Sequence, residues 1–294
     1  MRRCRFEGDL RCRSCRGRTV ELSGLNPIRR SALQCYFRTM ARAYLIATTP
    51  RTGSSLLCEG LIASGVAGFP EEYSSAEDPG TWRDYARCSS HMEYFGRYVQ
   101  RGRSHNGVFA AKLMWLQFLT WGADARRYLG SNDETPDIIR SLIGPYSIVR
   151  LSREDRLRQA VSFVRAGLTG EWSRRRTDVH GPAPWPVYDA NEIRSIMELI
   201  DCHEHSWEAV LQTFDGPVFR VNYEALERDY RGTVKDVLTF LGLEATRSIP
   251  DPVLTRQADD MTEEWVARAG ADLNTPCGRP ATESSAPTAF STDP

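Results

Sequence analysis

The sequence lacks the features that mark several classes of protein. No apolar run among its 294 residues is long enough for a membrane span or a signal peptide. Neither sign of charge is in excess, since 38 Lys and Arg residues balance 38 Asp and Glu residues. This balance gives no reason to expect nucleic acid or an anionic membrane as a partner. We therefore expect a cytoplasmic protein without stable membrane insertion.

Paired cysteines are lacking as well. Of the eight cysteines, four precede Met40 and the other four are scattered through the rest of the chain. Scattered cysteines in a soluble enzyme are usually free thiols. Cys12 and Cys15 have the spacing of half a zinc site, but no second Cys or His pair follows at the required distance. We predict no metal site.

The composition changes at both ends of the chain. Residues 1–39 are rich in arginine with few acids, and Met40 stands just before the first convincing strand. We interpret 1–39 as a disordered or mis-assigned leader, which leaves both Met1 and Met40 open as the true start. Residues 270–294 are dominated by Ser, Thr, Pro, Ala and Gly, which is typical of a disordered tail. One domain, 40–269, remains.

Within that domain, short apolar segments alternate with amphipathic ones. The pattern predicts strands over 44–47, 107–113, 146–151 and 217–221, and helices over 54–64, 92–101, 154–168, 193–214 and 225–241. Ser54 or Ser55 is the predicted cap of the first helix, only a brief strand fits into 65–73, and 170–189 is interpreted as a loop or lid. Strands that alternate with helices favour a parallel sheet. We predict a single α/β, P-loop-like domain whose central, mainly parallel sheet carries helices on both faces.

The segment 48–55, with the sequence TTPRTGSS, joins the first strand to the first helix. Such a turn directs backbone N–H groups and the positive end of the helix dipole at one point, which suits phosphate or sulfate. The lysine of a Walker A motif is missing, because Gly53 is followed by two serines. Arg51 is the basic group present. On these residues alone, an anion site and an ordinary capped turn both remain open.

Further short motifs follow this loop in an order that is found in one enzyme family. They are residues 50–57, 65–72, 106–108, 112–115, 153 with 159–163, 207, 256–259 and 264–266. Between about residues 43 and 269 the chain resembles the mycobacterial trehalose 2-sulfotransferase family. The resemblance implies direct transfer of a sulfuryl group from 3′-phosphoadenosine 5′-phosphosulfate, abbreviated PAPS, to a small-molecule hydroxyl, without a metal. Dimers are common in that family, so a homodimer is one expected assembly.

The resemblance also implies which residues bind the donor. The loop would hold its 5′-phosphosulfate through Arg51, Thr52, Gly53, Ser54 and Ser55. Arg153 and Ser162 would hold its 3′-phosphate, since a guanidinium presents a fork of donors to phosphate oxygens. Arg150 is a nearby competitor for the role of Arg153. Arg256 would close over the nucleotide from the C-terminal side.

Transfer to a hydroxyl requires a base and a group that stabilises the transferring charge. None of the five histidines lies in a motif that matches the family's chemistry, whereas Glu72 matches its proposed base. Lys112 would face the same cleft and neutralise the transferring group. Phe69 replaces an acid of the trehalose enzymes, so the acceptor's identity is open, although a trehalose-like sugar or glycolipid leads. The roles of Trp115, core or sugar platform, and of the arginines 174–176 in the lid are open.

Two other functions stay open at this point. A P-loop kinase of small metabolites would share the strand-to-helix loop, but it lacks the Walker lysine and a persuasive Mg²⁺-binding acid at a strand end. A catalytically silent nucleotide-binding module would keep the fold and the donor site without turnover. Donor choice and the effect of removing Glu72 distinguish these functions from sulfuryl transfer.

Overall fold

A computed structural model describes residues 42–72, 91–173, 186–254 and 258–274. Several sequence predictions lie outside these ranges: the leader 1–39, the arginines 174–176, Arg256 and the last twenty residues of the chain.

The described residues contain one sheet of four parallel strands. The strands are β1 (Arg42–Thr48), β2 (Val108–Met114), β3 (Ser147–Ser152) and β4 (Val218–Asn222), in the order β2-β1-β3-β4. Thr48 at the end of β1 pairs with Met114 of β2 and Leu151 of β3. Helices cover both faces of β1, one of the two central strands, and β1 is accordingly apolar almost throughout. The predicted parallel α/β architecture is confirmed.

The helices connect these strands and cover the sheet. They are α1 (Ser54–Ala63), α2 (His91–Arg101), α3 (Trp115–Leu129), α4 (Thr135–Ile143), α5 (Arg156–Thr169), α6 (Ala190–Thr213), α7 (Tyr223–Arg228), α8 (Tyr230–Phe240) and α9 (Asp260–Asn274). The sequence analysis left α3, α4 and α9 unassigned. The last of these helices crosses residue 269, where the predicted domain ends. No helix within the described ranges is long and apolar enough to cross a membrane.

Alternate residues of the strands face two separate cores. Leu45 of β1 and Phe109 of β2 point into a cluster with Trp121 and Trp207 from α3 and α6. Their sequence neighbours point to the opposite face, where they pack against α1, α7 and α8. A third cluster joins α5, α6 and α9. The sheet therefore lies between two helical layers, with its carboxyl ends, where ligands of α/β sheets bind, at one edge.

Two predicted helical features are wrong. The helix over 225–241 is interrupted at Asp229, whose carboxylate accepts from Gly232 N at 2.9 Å and so caps a new helix. Neither Ser54 nor Ser55 caps α1 with its side chain. The N-cap is Gly53, in the left-handed region at φ 74°.

The segment from Gly65 to Glu72 contains no strand, although the sequence leaves room for a brief one. It nevertheless runs beside β2. Phe69 N donates to Gly102 O at 2.9 Å, and Lys112 N donates to Glu71 O at 3.0 Å. The second of these hydrogen bonds brings Glu72 next to the end of β2, since Gly102 lies before that strand.

Candidate active site

A cavity of about 550 Å³ opens at the carboxyl edge of the sheet, a volume in the range of small-molecule sites. Its lining includes the loop after β1, the start of α1, the segment after β3 and residues of α5, α7 and α9. Six predicted donor residues line it: Arg51, Gly53, Ser54, Ser55, Arg153 and Ser162. The structure thus brings together residues from separate parts of the chain.

Thr52, the remaining described residue of the predicted donor site, faces inward instead. It is fully buried, its hydroxyl lies 2.6 Å from the Thr48 hydroxyl, and it donates to Thr49 O at 3.0 Å. The Thr48 hydroxyl in turn donates to Leu151 O at 2.9 Å. The threonine side chains therefore tie the loop to the ends of β1 and β3 and leave its outer face to the cavity.

Two residues of the loop before α1 have left-handed backbone. Arg51 has φ 65°, which is rare for a residue with a side chain, and Gly53 has φ 74°. A Cβ on Gly53 would lie 2.6 Å from Cδ2 of Tyr223, at the start of α7. Only glycine allows this close approach. The turn leaves the first amides of α1, which have no acceptor within the helix, directed toward the cavity.

Arg51, Arg153 and Ser162 form one cluster at the cavity wall. Arg51 Nε donates to Ser162 Oγ at 2.9 Å, and Arg51 NH1 donates to Trp172 O. Arg153 NH1 donates to Arg51 O at 3.1 Å, and its guanidinium lies 4.4 Å from the ring centre of Tyr223. The residues predicted for the two phosphates of the donor thus share one wall.

This cluster concentrates positive charge. Burial and the neighbouring Arg153 lower the pKa of Arg51 to about 10, and burial also lowers the pKa of Arg153. The buried Nε of Arg153 has no hydrogen-bond partner among the described residues. A phosphate would supply both the missing acceptor and the missing negative charge. The residues present therefore fit an anionic nucleotide.

Arg150, the competitor for the donor role, lies elsewhere. It is 1% exposed, and its NH2 pairs with Glu204 Oε2 at 2.9 Å. Its NH1 donates to the carbonyls of Ala47 and Leu151. Arg150 does not line the cavity. Arg153, directly after β3, does line it.

Glu72 and Lys112 form an ion pair next to Ser55. Lys112 Nζ lies 2.6 Å from Glu72 Oε1 and donates to Ser55 Oγ at 3.3 Å. Gln117 Nε2 donates to the other Glu72 oxygen at 2.9 Å. Because Ser55 also lines the cavity, it connects the predicted catalytic pair to the predicted donor site.

The surroundings of this pair set its charges. Burial alone would raise the pKa of Glu72, but the attraction and hydrogen bond of Lys112 lower it below its ordinary value. Burial likewise disfavours the charged ammonium, but Cys58 and Glu72 raise the pKa of Lys112. Burial raises the pKa of the Cys58 thiol to about 12. At neutral pH the site therefore holds a carboxylate, an ammonium and a neutral thiol.

Trp115 and Phe69, whose roles the sequence left open, lie in different surroundings. Trp115 is half-buried at the start of α3, with its ring against Phe118 and Trp207, so it belongs to the core. Phe69 is 41% exposed in the segment that leads to Glu72.

Sequence reasoning missed Tyr223 and Glu204. Tyr223 follows β4 directly, as Arg153 follows β3, and the ends of parallel strands share one edge. Glu204 is an acid on the buried stripe of α6, one turn from Ile200 and Trp207. A carboxylate on an apolar stripe was the available signal. Among the residues that the structure describes, no group of three or more His, Cys, Asp or Glu side chains is arranged to hold a metal.

Comparison with known proteins adds to this geometry. Residues 43–272 match the model of the Stf0 sulphotransferase family. Two relatives are named trehalose 2-sulfotransferase. The one from Mycolicibacterium smegmatis is 32% identical over 258 residues, covering 78% of this chain and 95% of its own length. The one from Mycobacterium tuberculosis is 30% identical over 269 residues, covering 79% and 95%.

The structural likenesses are more distant. A mouse sulfotransferase complexed with PAP is 15% identical, with a TM-score of 0.37, and the match covers 81% of this chain and 68% of that chain. A sulfotransferase from Alicyclobacillus acidocaldarius is 16% identical, with a TM-score of 0.41 and coverage of 79% and 92%.

Proposed function

Because the chain belongs to the Stf0 sulphotransferase family, we propose that it moves a sulfuryl group from PAPS to a hydroxyl of a carbohydrate or glycolipid-type acceptor. A trehalose-like sugar is the leading candidate. The chain is a sulfotransferase; the donor and the acceptor are the proposal.

The cluster of Arg51, Arg153 and Ser162 is the observation that carries the donor assignment. The half-buried guanidinium of Arg51 and the buried one of Arg153 both have lowered pKa values, and Arg153 Nε has no hydrogen-bond partner among the described residues; together these features favour an anion here. The amides of α1 offer a second anion site at Ser54 and Ser55, on the same cavity wall. Two anion sites on one wall suit a nucleotide with phosphates at both its 3′ and 5′ positions. The bound donor supplies the sulfuryl group.

Glu72 is the proposed base for the acceptor hydroxyl. A base works best when its pKa lies near the working pH, and Lys112 holds the pKa of Glu72 down. Lys112 also contacts Ser55, so negative charge at the start of α1 would compete with Glu72 for the ammonium. Without the ammonium, burial would be the main effect on the Glu72 carboxylate, and burial raises its pKa. Donor binding would thus strengthen the base and place Lys112 against the transferring charge.

Phe69 bears on the acceptor. It stands three residues before Glu72, is 41% exposed, and replaces an acid of the trehalose enzymes with an aromatic ring, a group that can stack on the apolar face of a sugar. We further propose that residues 40–269 are the catalytic domain, and that it acts in the cytoplasm as a homodimer. These three statements remain predictions of the sequence.

Incubation with PAPS that carries radiolabelled sulfate tests the function. The acceptors are trehalose, other disaccharides, glycolipids and small alcohols, and mass spectrometry identifies each labelled product. We expect the label on a sugar hydroxyl. Label on small alcohols alone would contradict the carbohydrate acceptor, and no labelled product with any acceptor would contradict the proposed reaction.

A further inference from the structure

A largely buried polar cluster contacts the loop of residues 48–55, called here the phosphate loop. It consists of Thr49 in the loop, Arg156 and Gln159 of α5, and Glu204 of α6. None of these four residues lines the cavity. Their contacts nevertheless end on the loop that does.

Glu204 is the centre of this cluster. It is only 8% exposed, and one of its oxygens accepts from the Thr49 hydroxyl at 2.8 Å. The other oxygen pairs with Arg156 NH2 at 2.7 Å and with Arg150 NH2 at 2.9 Å. One carboxylate therefore joins β3, α5 and the loop.

Gln159 completes a hydrogen-bonded ring with Thr49, Arg156 and Glu204. Its Nε2 donates to Thr49 Oγ1 at 3.0 Å and to Pro50 O at 2.7 Å, and its Oε1 accepts from Arg156 NH1 at 2.9 Å. Arg156 in turn pairs with Glu204, and this contact closes the ring. Trp207, one turn further along α6, donates from Nε1 to Thr48 O at 3.0 Å. The carbonyls and hydroxyl of the loop before Arg51 are thus all fixed.

These hydrogen bonds hold the loop just before Arg51, whose backbone conformation is unfavourable. Its left-handed backbone, at φ 65°, is rare for a residue with a side chain and persists only where the surroundings determine it fully. The ring holds Pro50 O on one side of it, and Arg153 holds Arg51 O on the other. This backbone directs the Arg51 guanidinium to Ser162 and the cavity.

We propose that Glu204 is a positioning residue for the donor: through Thr49 it holds the phosphate loop in the conformation that presents Arg51 to the donor's phosphate. The inference rests on the proposed function, because it assumes that this cavity binds PAPS. It assigns a task to a side chain that itself touches neither donor nor acceptor.

The sign of the effect separates positioning from simple electrostatics. Glu204→Gln removes a negative charge from beneath an anion site, and by charge alone it would strengthen the binding of a phosphate. Loss of positioning would weaken that binding. Thr49→Val removes the same link without changing any charge, so it tests the geometry alone.

The experiment titrates PAP, the desulfated donor, into four proteins by calorimetry: the wild type, Glu204→Gln, Thr49→Val and the double variant. We expect each single variant to bind PAP about tenfold more weakly, the loss of one charge-assisted hydrogen bond. The double variant should bind no more weakly than the weaker single variant, since both changes break one link. Glu208→Gln is the matched control, because Glu208 lies one turn further on α6 and pairs with Arg150 and Arg220 but not with the loop.

Each outcome decides the inference. Unchanged or tighter PAP binding by a folded Glu204→Gln variant would overturn it, as would fully additive losses in the double variant or an equal loss in Glu208→Gln. If Glu204→Gln fails to fold, Thr49→Val decides alone, and wild-type affinity there would overturn the inference. A wild type that does not bind PAP would instead contradict the proposed donor, and the inference with it.

Discussion

At the scale of single residues, two opposing effects act on Glu72. Burial disfavours its charge, whereas Lys112 at 2.6 Å and Gln117 at 2.9 Å stabilise it. The resulting carboxylate is ionised at neutral pH but is a weak base while the pair is closed. This is why we connect donor binding, through Ser55 and Lys112, to the strength of the base.

Glu72→Gln tests the role of this carboxylate. The amide keeps the size of the side chain but cannot accept the proton of a hydroxyl. We expect turnover to fall by about 100-fold or more, with PAP bound at least as tightly as by the wild type, because loss of the carboxylate leaves Lys112 to the phosphate. Steady-state kinetics and calorimetry provide the two values. Glu71→Gln is the matched control, since Glu71 is exposed, and equal losses in both variants would argue against a specific base.

The ion pair also makes stability depend on pH. The pKa of Glu72 in the folded protein lies below its ordinary value of 4.5. Its stabilising contribution is therefore present above that value and is lost as the pH falls through the lower, folded-state pKa.

We expect Glu72→Gln to lower the free energy of unfolding by about 2 kcal/mol at pH 7, because the substitution leaves Lys112 buried without its partner. The difference should shrink on acidification below pH 4.5. Urea denaturation at several pH values measures it. A difference that stays constant down to acid pH would show that the charge of Glu72 does not contribute.

At the scale of helices and strands, the sequence predicted most of the sheet but not all of the helices that cover it. The strands were recognisable because buried parallel strands are short continuous apolar runs that end in turn residues. Helix α3 was not, because Trp115 to Leu129 follows β2 without any turn between them. The N-cap was wrong for a tertiary reason: Tyr223, 170 positions away, packs where a side chain at position 53 would lie.

The junction between β1 and α1 gives a prediction at this scale. Gly53→Ala would place a Cβ against Tyr223 and would also strain a positive φ. Gly130→Ala is the matched control, since Gly130 has φ 65° but nothing within 4 Å of the added carbon.

We expect Gly130→Ala to lower the free energy of unfolding by about 1 kcal/mol and to leave PAP binding unchanged. Gly53→Ala should lower it further and weaken PAP binding at least about tenfold, because the loop and Tyr223 must separate. Denaturant titration and calorimetry measure the two effects. Equal behaviour of both variants would show that the contact with Tyr223 is unimportant.

At the scale of the whole molecule, the site assembles from segments that are far apart in the chain. Arg51, Arg153, Ser162 and Tyr223 come from four separate elements or loops. Local pattern alone indicated only the first of these segments as an anion site. Arg153 and Ser162 required a family resemblance, and the buried ring around Glu204 required the structure, since no spacing rule connects positions 49, 159 and 204.

Arg153 and Arg158 both line the cavity but differ in their partners. Arg158 pairs with Glu263 and Asp155. Arg153 instead stacks on Tyr223, and its buried Nε has no hydrogen-bond partner in the part of the chain that the structure describes. If Arg153 holds the 3′-phosphate, Arg153→Ala should reduce the preference for PAP over 5′-AMP about tenfold or more, and Arg158→Ala should reduce it less. Competition binding with the two nucleotides measures this preference. A larger loss in Arg158→Ala would contradict the assignment.

The central claim is that this cavity and the Glu72–Lys112 pair beside Ser55 transfer a sulfuryl group rather than a phosphoryl group. Donor choice tests it most directly: the protein is incubated with one acceptor mixture and either PAPS labelled in its sulfate or ATP labelled in its γ-phosphate. We predict labelled sulfate in the acceptor and no labelled phosphate. Transfer of phosphate from ATP, with none of sulfate from PAPS, would contradict the account.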